Sequence, residues 1–203
     1  MKNVLLVLLI GFGLSLCNLS ERFHGGSKSG PTASGGSSKS VETAKATAEQ
    51  TAALSGGQEK KWDRQGMSWT IPPNWTEETN ESKMFVMRSP GGGNAASLIV
   101  NISPMDENFP ADVQPWFDQA ESRAKNGEVD EVKFVEIDGL KGVLFREASP
   151  EKPDGHRRLQ WMAYRKYTGQ LQLVNVMLAS EGKDFERHKN AMYGILYSMK
   201  VAH

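Results

Sequence analysis

The feature that most constrains this fold is a set of strand-like segments joined by very short connections. Asp138-Gly139 and Thr168-Gly169 each separate two alternating or apolar runs, and such dipeptides are typical of two-residue β-hairpin turns. Parallel strands need crossovers of a dozen or more residues, so these connections disfavour Rossmann-like winding and predict an antiparallel sheet. The predicted strands span residues 67–71, 83–88, 96–103, 132–137, 140–147, 157–167 and 170–179.

Two helices complete the predicted domain. Pro115 fits the first turn of one helix, and Asn126-Gly127 ends it. The other helix is predicted from about residue 183 to residue 201. The apolar stripes are Val113, Trp116, Phe117, Ala120 and Ala124 in the first helix, and Phe185, His188, Met192, Ile195, Leu196 and Met199 in the second. The fold class is therefore α+β, an antiparallel β-sheet of about six to seven strands flanked by helices.

The start of the domain carries a family resemblance. Residues 67–75 read Met-Ser-Trp-Thr-Ile-Pro-Pro-Asn-Trp, a strand followed by proline and tryptophan. This segment, the order of strands and helices, and the closing segment 193–201 resemble the PsbP-like and Mog1-like family and its exported, lipoprotein-like bacterial relatives. The resemblance covers most of residues 61–203. It implies an α/β/α sandwich with a non-enzymatic accessory or binding role, and it carries over no site residue and no photosystem role.

The first residues predict export. Lys2 precedes an apolar run over residues 4–16, and Cys17 follows. About 13 apolar residues span only about 20 Å as a helix, which suits a signal peptide better than a transmembrane helix. Three fates stay open: lipidation of Cys17, although Leu16 departs from the small residue of a lipobox; signal cleavage to a soluble protein; or retention as an anchor. We expect residues 1–19 to be a signal peptide or membrane anchor and the protein to lie on the periplasmic side of the cell envelope, membrane-attached.

Residues 20–60 predict a flexible linker. The segment is rich in Ser, Gly and Ala and has too little apolar surface to offset the entropy of ordering. Residues 41–54 offer the alternative of a marginal helix, closed by Gly56-Gly57, but a disordered spacer is favoured. The globular domain is expected over residues 61–203. It contains no cysteine, which excludes disulfides, thiolate zinc sites and a cysteine nucleophile there.

Charge and motif patterns exclude several functions. The chain has 24 Lys and Arg against 24 Asp and Glu, with no run of either sign in the domain, so no nucleic-acid partner is expected. No two of its four histidines have metal-ligand spacing. The glycines of residues 91–93 precede a strand rather than the helix that a phosphate loop needs. Ser89, Ser149 and Ser180 lack a nucleophile-elbow context. We predict no catalytic, cofactor or metal site.

One strand carries a candidate recognition surface for a partner protein or an anion. Its residues are His156, Arg157, Arg158, Tyr164 and Lys166. If Leu159, Trp161 and Ala163 point inward, the alternate side chains of this strand point outward. Arginine, tyrosine and lysine on one sheet face suit recognition of anions and protein partners. The favoured alternative is a solvated or helix-covered face.

The predicted function is that of a non-enzymatic accessory or binding protein of the cell envelope, with a membrane contact through its N-terminus and an envelope protein as partner. This function predicts an exposed apolar or basic patch and no buried ionisable cluster. A small-ligand carrier is the alternative, and it predicts a concave apolar pocket between sheet and helices. An envelope hydrolase ranks far lower, since it needs a cleft with a nucleophile and a base in reach. The sequence does not predict the oligomeric state.

Overall fold

The computed structural model describes residues 40–92 and 95–202. The predicted signal or anchor, residues 1–19 with Cys17, lies outside this part. The strands are β1 Glu42–Thr43, β2 Gln58–Trp62, β3 Met67–Ile71, β4 Thr76–Asn80, β5 Met84–Arg88, β6 Ser97–Pro104, β7 Val129–Ile137, β8 Leu140–Glu147, β9 His156–Tyr167, β10 Gln170–Glu181 and β11 Lys200–Val201. The helices are α1 Ala48–Ala52, α2 Gln114–Lys125 and α3 Gly182–Tyr197. Within the described residues, no helix is long and apolar enough to cross a membrane.

The main sheet has eight strands in the order β1-β7-β8-β9-β10-β6-β5-β4. Every neighbouring pair is antiparallel except β1 and β7, which are parallel. The predicted α+β class is confirmed, with slightly more strands than expected. A separate three-stranded sheet, in the order β11-β3-β2, contains the predicted strand over residues 67–71.

Helices cover the two faces of the main sheet and give an α/β/α arrangement. The small sheet and α3 lie on one face and enclose the larger core, in which Trp69, Phe85 and Trp161 are almost completely buried. Helix α2 packs on β7 and β8 on the other face. There Phe117 stacks on Phe134 with ring centroids 4.2 Å apart, within a second, smaller core. The two cores explain why the strands between them are apolar on both sides.

The two predicted hairpin turns are confirmed. Asp138 and Gly139 both adopt positive φ, 48° and 83°, between β7 and β8. Thr168 and Gly169 do the same, at 48° and 82°, between β9 and β10. Two consecutive left-handed residues are the geometry of the type I′ turn, whose twist matches that of the flanking strands. These turns fix the register within the β7–β8 and β9–β10 hairpins.

The predicted linker needs correction at its C-terminal end. Residues from 42 onward belong to the fold: β1 pairs with β7, α1 packs on α3, and β2 pairs with β3. The helix that was the less favoured alternative is therefore present, although short, and a capping box of Thr47 and Gln50 begins it. Tertiary packing stabilises it, because isolated helices of this length are unstable in water.

The last predicted helix is shorter than expected. Helix α3 ends at Tyr197 rather than at residue 201, and the chain then forms β11 against β3. Ser198 makes the change of direction possible, because its hydroxyl donates to the carbonyl of Ile195 and accepts from the amide of Thr70. The apolar stripe continues through Met199 and Val201, both buried, and for this reason the sequence pattern does not show the break.

Candidate functional site

The five residues of the predicted recognition surface lie on β9 but on both faces of the main sheet. Leu159, Trp161 and Ala163 point into the larger core and are completely buried. Alternation along the strand places Arg157 on that same side. The opposite, α2-side face carries His156, Arg158, Tyr164 and Lys166.

Arg157 is a buried, fully paired side chain. Its guanidinium donates to Asp130 at 2.5 Å, to Glu186 at 2.8 Å and to the carbonyl of Glu147 at 2.8 Å. The same group lies over the ring of Phe185, 4.4 Å from its centroid. Only 4% of the residue is exposed, so this arginine ties β9 to α3 and β7 instead of facing solvent.

The other predicted residues have mixed surroundings. Arg158 donates to both carboxylate oxygens of Glu147. Burial acts to raise the pKa of Glu147, but the hydrogen bonds and charges of Arg158 and Arg123 outweigh it and lower the pKa. Tyr164 accepts a hydrogen bond from the indole of Trp116 at 3.0 Å. His156 and Lys166 are exposed. Anion recognition by these residues stays a prediction.

Next to Tyr164 the α2-side face of the main sheet continues over β10, β6 and β5 as a surface that we call the open face. It comprises Met84, Val86, Ile99, Asn101, Leu173, Asn175 and Met177, all half-exposed. Val86, Ile99 and Met177 are directly opposite one another across the three strands. The open face therefore presents a continuous, largely apolar row beside the region that α2 covers.

Polar groups in the open face are amides, and charges lie at its border. Asn101 and Asn175 are paired across β6 and β10, and the Asn175 side chain accepts a hydrogen bond from Gln160 at 2.8 Å. Arg88, at one end, forms an ion pair with Glu78 at 2.6 Å. An apolar centre with a charged rim is the composition typical of protein interfaces.

A second candidate site lies at the opposite edge of the main sheet, beneath residues 42–50, which we call the strap. The strap passes over β7 and α3 and leaves a cleft of about 310 Å³. Its charged lining residues are Glu42, Lys45, Glu131, Lys133, Arg146 and Lys189. Tyr193 and Tyr197, one turn apart on α3, form the wall opposite the strap.

The floor of the cleft is a network of paired charges centred on Glu131. Tyr193 donates its hydroxyl proton to Glu131 and accepts a hydrogen bond from Arg146 at 3.1 Å. Lys133 lies 3.1 Å from Glu131 and 3.2 Å from Glu42 on the strap. Lys133 thus joins the fixed floor to the strap.

This environment shifts the pKa values of the floor residues. Burial acts to raise the pKa of Glu131, but the hydrogen bond from Tyr193 and the charges of Lys133 and Arg146 lower it overall. Burial acts to lower the pKa of Lys133, yet Tyr197 and Glu131 raise it well above its usual value. Burial and the neighbouring carboxylate raise the pKa of Tyr193. At neutral pH, therefore, glutamate and lysine are charged and the tyrosine is protonated.

The cluster corrects an expectation of the sequence analysis, which predicted no buried ionisable cluster for a binding module. Each charge has an opposite partner, so burial is tolerated, and the cleft offers ion pairing instead of an unpaired base. The sequence signal was weak: Glu131 and Lys133 alternate on β7, and Tyr193 and Tyr197 have helical spacing. The contact between the β7 residues and the two tyrosines depends on how α3 packs against β7.

The described residues contain no group placed to hold a metal ion, and two of the three serines considered in the sequence, Ser89 and Ser180, hydrogen-bond to backbone groups. No group of three or more His, Cys, Asp or Glu within the described ranges is placed to hold a metal ion. Ser89 donates to the carbonyl of Pro90 and accepts from the amide of Ala96. Ser180 donates to the carbonyl of Glu181. Both hydroxyls therefore serve local backbone groups.

A wide apolar groove of about 900 Å³ lies between α1 and the end of α3. It is lined mostly by small side chains, and Gly194 and Thr70 contribute to it. The groove is partly open to solvent, and none of its lining residues is charged. It is the feature that the ligand-carrier alternative would use.

Comparison with solved structures identifies proteins with a similar fold. The chain is similar to LpqN of Mycobacterium tuberculosis, involved in cell envelope biogenesis, with 10% identity over 72% of this chain and 86% of that one, and a TM-score of 0.52. The cyanobacterial PsbP protein CyanoP of Synechocystis sp. PCC 6803 is 13% identical over 71% of this chain and 92% of that one, with a TM-score of 0.48. The Ran-binding protein Mog1p of Saccharomyces cerevisiae is 13% identical over 71% of this chain and 95% of that one, with a TM-score of 0.44.

At such identities these structures show the fold alone, and LpqN, with a TM-score above 0.5, agrees with the α+β fold class expected from the sequence. The chain spans less than half, 46%, of another similar structure, from Bacteroides thetaiotaomicron VPI-5482, at a TM-score of 0.43. No protein-family model matches the chain, and no curated protein matches it in sequence.

Proposed function

We propose that this PsbP/Mog1-like domain is a non-enzymatic accessory protein of the cell envelope, held at a membrane through its N-terminal segment, that binds an envelope protein through its open face. The single observation that carries the proposal is the row of half-exposed apolar side chains across β5, β6 and β10. The membrane attachment comes from the leader pattern that ends at Cys17.

The composition of the open face defines the kind of partner. Its centre carries methionine, valine, isoleucine and leucine and no charged residue. Methionine adapts its shape to different surfaces, and the neighbouring asparagines donate and accept hydrogen bonds equally well. We infer that the partner presents an uncharged, mainly apolar surface with amide or hydroxyl groups, and that the charged rim around Arg88 and Lys166 orients it.

Two further observations support the proposal. The floor charges of the strap cleft are paired with one another, an arrangement that holds a fold together more readily than it activates a nucleophile. LpqN, which shares the fold, is involved in cell envelope biogenesis, and this agrees with the export that the first residues of the chain predict.

The experiment is site-specific photo-crosslinking in the native host. A photoreactive residue replaces Asn175 at the centre of the open face, and cross-linked envelope proteins are identified by mass spectrometry. A second substitution, Ile99→Lys, should abolish the cross-link, because a buried lysine in an apolar interface is costly. Val41→Lys is the matched control, since Val41 is 43% exposed and directly precedes the strap, away from the open face.

We expect one envelope protein to be cross-linked in the parent and in the Val41→Lys protein but not in Ile99→Lys, with the thermal midpoint unchanged in both. Equal cross-linking in the Ile99→Lys protein would contradict the proposal. Cross-links between copies of this chain alone would also contradict it and would make the open face a homodimer interface.

A further inference from the structure

The strap cleft has more cationic than anionic side chains on its walls. Lys45, Lys133, Arg146 and Lys189 are the cations, against Glu42 and Glu131. Two more carboxylates lie just outside the lining: Asp130 pairs with Arg146 at 2.6 Å, and Glu186 pairs with Lys189 at 3.2 Å. Lys45 is exposed on the strap. The opening of the cleft is therefore bordered by lysines that an anion could reach.

The two carboxylates inside the cleft are held very differently. Glu131 is fixed by Tyr193, Lys133 and Arg146 in the floor. Glu42 reaches Lys133 from above, and 48% of its side chain is exposed. Glu42 is thus the carboxylate that can leave without exposing an unpaired charge in the floor.

The backbone beneath Glu42 is attached by few bonds. Strand β1 contains two residues and pairs with β7 only through Glu42 and Thr43. One further amide, of Ala44, donates to the carbonyl of Glu136 at 2.8 Å. Helix α1 holds the far end of the strap against α3. The strap can therefore lift at Glu42 while α1 stays in place, because a two-residue edge pairing contributes little to stability.

We propose that the strap cleft binds a small dicarboxylate, whose one carboxylate takes the place of Glu42 on Lys133 and whose other carboxylate pairs with Lys45 and Lys189. A carboxylate is the favoured ligand group because the strap already presents one to Lys133 at ion-pair distance. A second anionic group is expected because two further lysines border the same cleft. The cleft volume of about 310 Å³ suits a ligand of this size.

The proposal makes Glu42 an internal competitor. While Glu42 occupies Lys133, the ligand carboxylate cannot pair with Lys133, and the apparent dissociation constant is the intrinsic value divided by the fraction of molecules in which Glu42 has left. If Glu42 is seated in about nine-tenths of the molecules, its removal strengthens binding about tenfold. Glu42→Gln removes the charge and keeps the size of the side chain.

Isothermal titration calorimetry of the full chain with succinate tests the proposal, with inorganic phosphate as the comparison anion. We expect saturable succinate binding that becomes about tenfold tighter in Glu42→Gln. The double variant Lys45→Gln/Lys189→Gln should weaken binding at least about tenfold, since it removes the partners of the second carboxylate. These lysines are not part of the floor network, so the variant keeps the fold. Lys152→Gln, an exposed lysine in the β8–β9 loop, is the control and should bind like the parent.

Three results would overturn the proposal. The first is the absence of succinate binding at millimolar concentration in both the parent and Glu42→Gln. The second is binding that is the same in the Lys45→Gln/Lys189→Gln variant as in the Lys152→Gln control, because the ligand would then lie elsewhere. The third is phosphate binding as tight as that of succinate, which would exclude a carboxylate-specific site. None of these results bears on the open face, which is at the other edge of the sheet.

Discussion

Glu131 is the residue whose protonation most directly changes the floor of the strap cleft. Although burial acts to raise its pKa, Tyr193, Lys133 and Arg146 bring the pKa below its usual 4.5. A carboxyl group with a lower pKa in the folded state adds stability that is fully present above its unfolded pKa. This stability is lost as the pH falls through the folded pKa.

We therefore expect the free energy of unfolding of the parent protein to fall as the pH drops below about 4.5, and to fall less in Glu131→Gln. Urea unfolding at several pH values measures the difference. Glu59→Gln is the control, because Glu59 is an exposed side chain outside the cleft. Parallel pH profiles of the parent and Glu131→Gln would show that the cleft carboxylate does not contribute.

Arg157 shows why a predicted surface residue can become a structural one. In the sequence it stands between His156 and Arg158 and looks like part of a basic patch. In the structure Asp130 and Glu186 neutralise it beneath α3. Strand alternation predicted the orientation of its neighbours, but the carboxylates come from β7 and α3, which are distant in sequence, and no local pattern reveals them.

At the scale of elements, the contact between α1 and α3 depends on Gly194. A β-carbon at this position would lie 2.6 Å from the carbonyl oxygen of Gln50 and 3.1 Å from the Leu54 side chain. Contacts closer than about 3 Å force one of the groups to move. Gly194→Ala should therefore displace α1 and loosen the strap while α3 keeps its own hydrogen bonds.

Trypsin cleavage after Lys45 measures this loosening. We expect the rate in Gly194→Ala to rise about tenfold, because cleavage of a locally opened segment follows the population of the open state. Ser122→Ala, an exposed substitution on α2 outside the strap cleft, should cleave at the parental rate. An unchanged rate in Gly194→Ala would mean that α1 does not hold the strap.

The elements that the sequence predicted are those with a strong pattern of their own. Helix α2 has an apolar stripe, a proline in its first turn and Asn126-Gly127 at its end, and the β7–β8 turn is marked by Asp138-Gly139. Strand β1 is too short to show alternation, and β4 reads Thr-Glu-Glu-Thr-Asn at a sheet edge. Tertiary pairing forms both strands, so local propensity does not indicate them.

The candidate sites were predictable to different degrees. The face of β9 that leads to Tyr164 follows from alternation alone. The open face exists because the principal contacts of α2 are with β7 and β8, so that α2 leaves β10, β6 and β5 uncovered. No sequence pattern specifies where α2 packs on the sheet. The strap cleft combines residues of five elements, β1, α1, β7, β8 and α3, and the sequence places the strap itself in the linker. Its capping box, Thr47 to Gln50, was the one readable signal.

At the scale of the whole molecule, the proposed membrane attachment rests on Cys17. We expect the protein purified from membranes of its own host to begin at Cys17 and to carry the mass of a diacylglyceryl group, because Leu14-Ser15 before the cysteine resembles a lipobox. Intact-mass spectrometry measures this, with Cys17→Ser as the matched variant. A full-length mass would instead indicate an uncleaved anchor, and an unmodified shorter chain in the soluble fraction would contradict attachment.

The small sheet joins distant parts of the chain. Its closure involves the amide of Thr70 and the hydroxyl of Ser198, which are 128 residues apart in sequence, and the amide of Ala202 donates to the carbonyl of Gly66 at 2.8 Å. Because a chain is synthesised from its N-terminus, β3 is available long before β11. One edge of β3 therefore stays unpaired until the residues after α3 have been made. The domain completes its folding only when the whole chain is available, and the last strand to be made is the one that closes the small sheet.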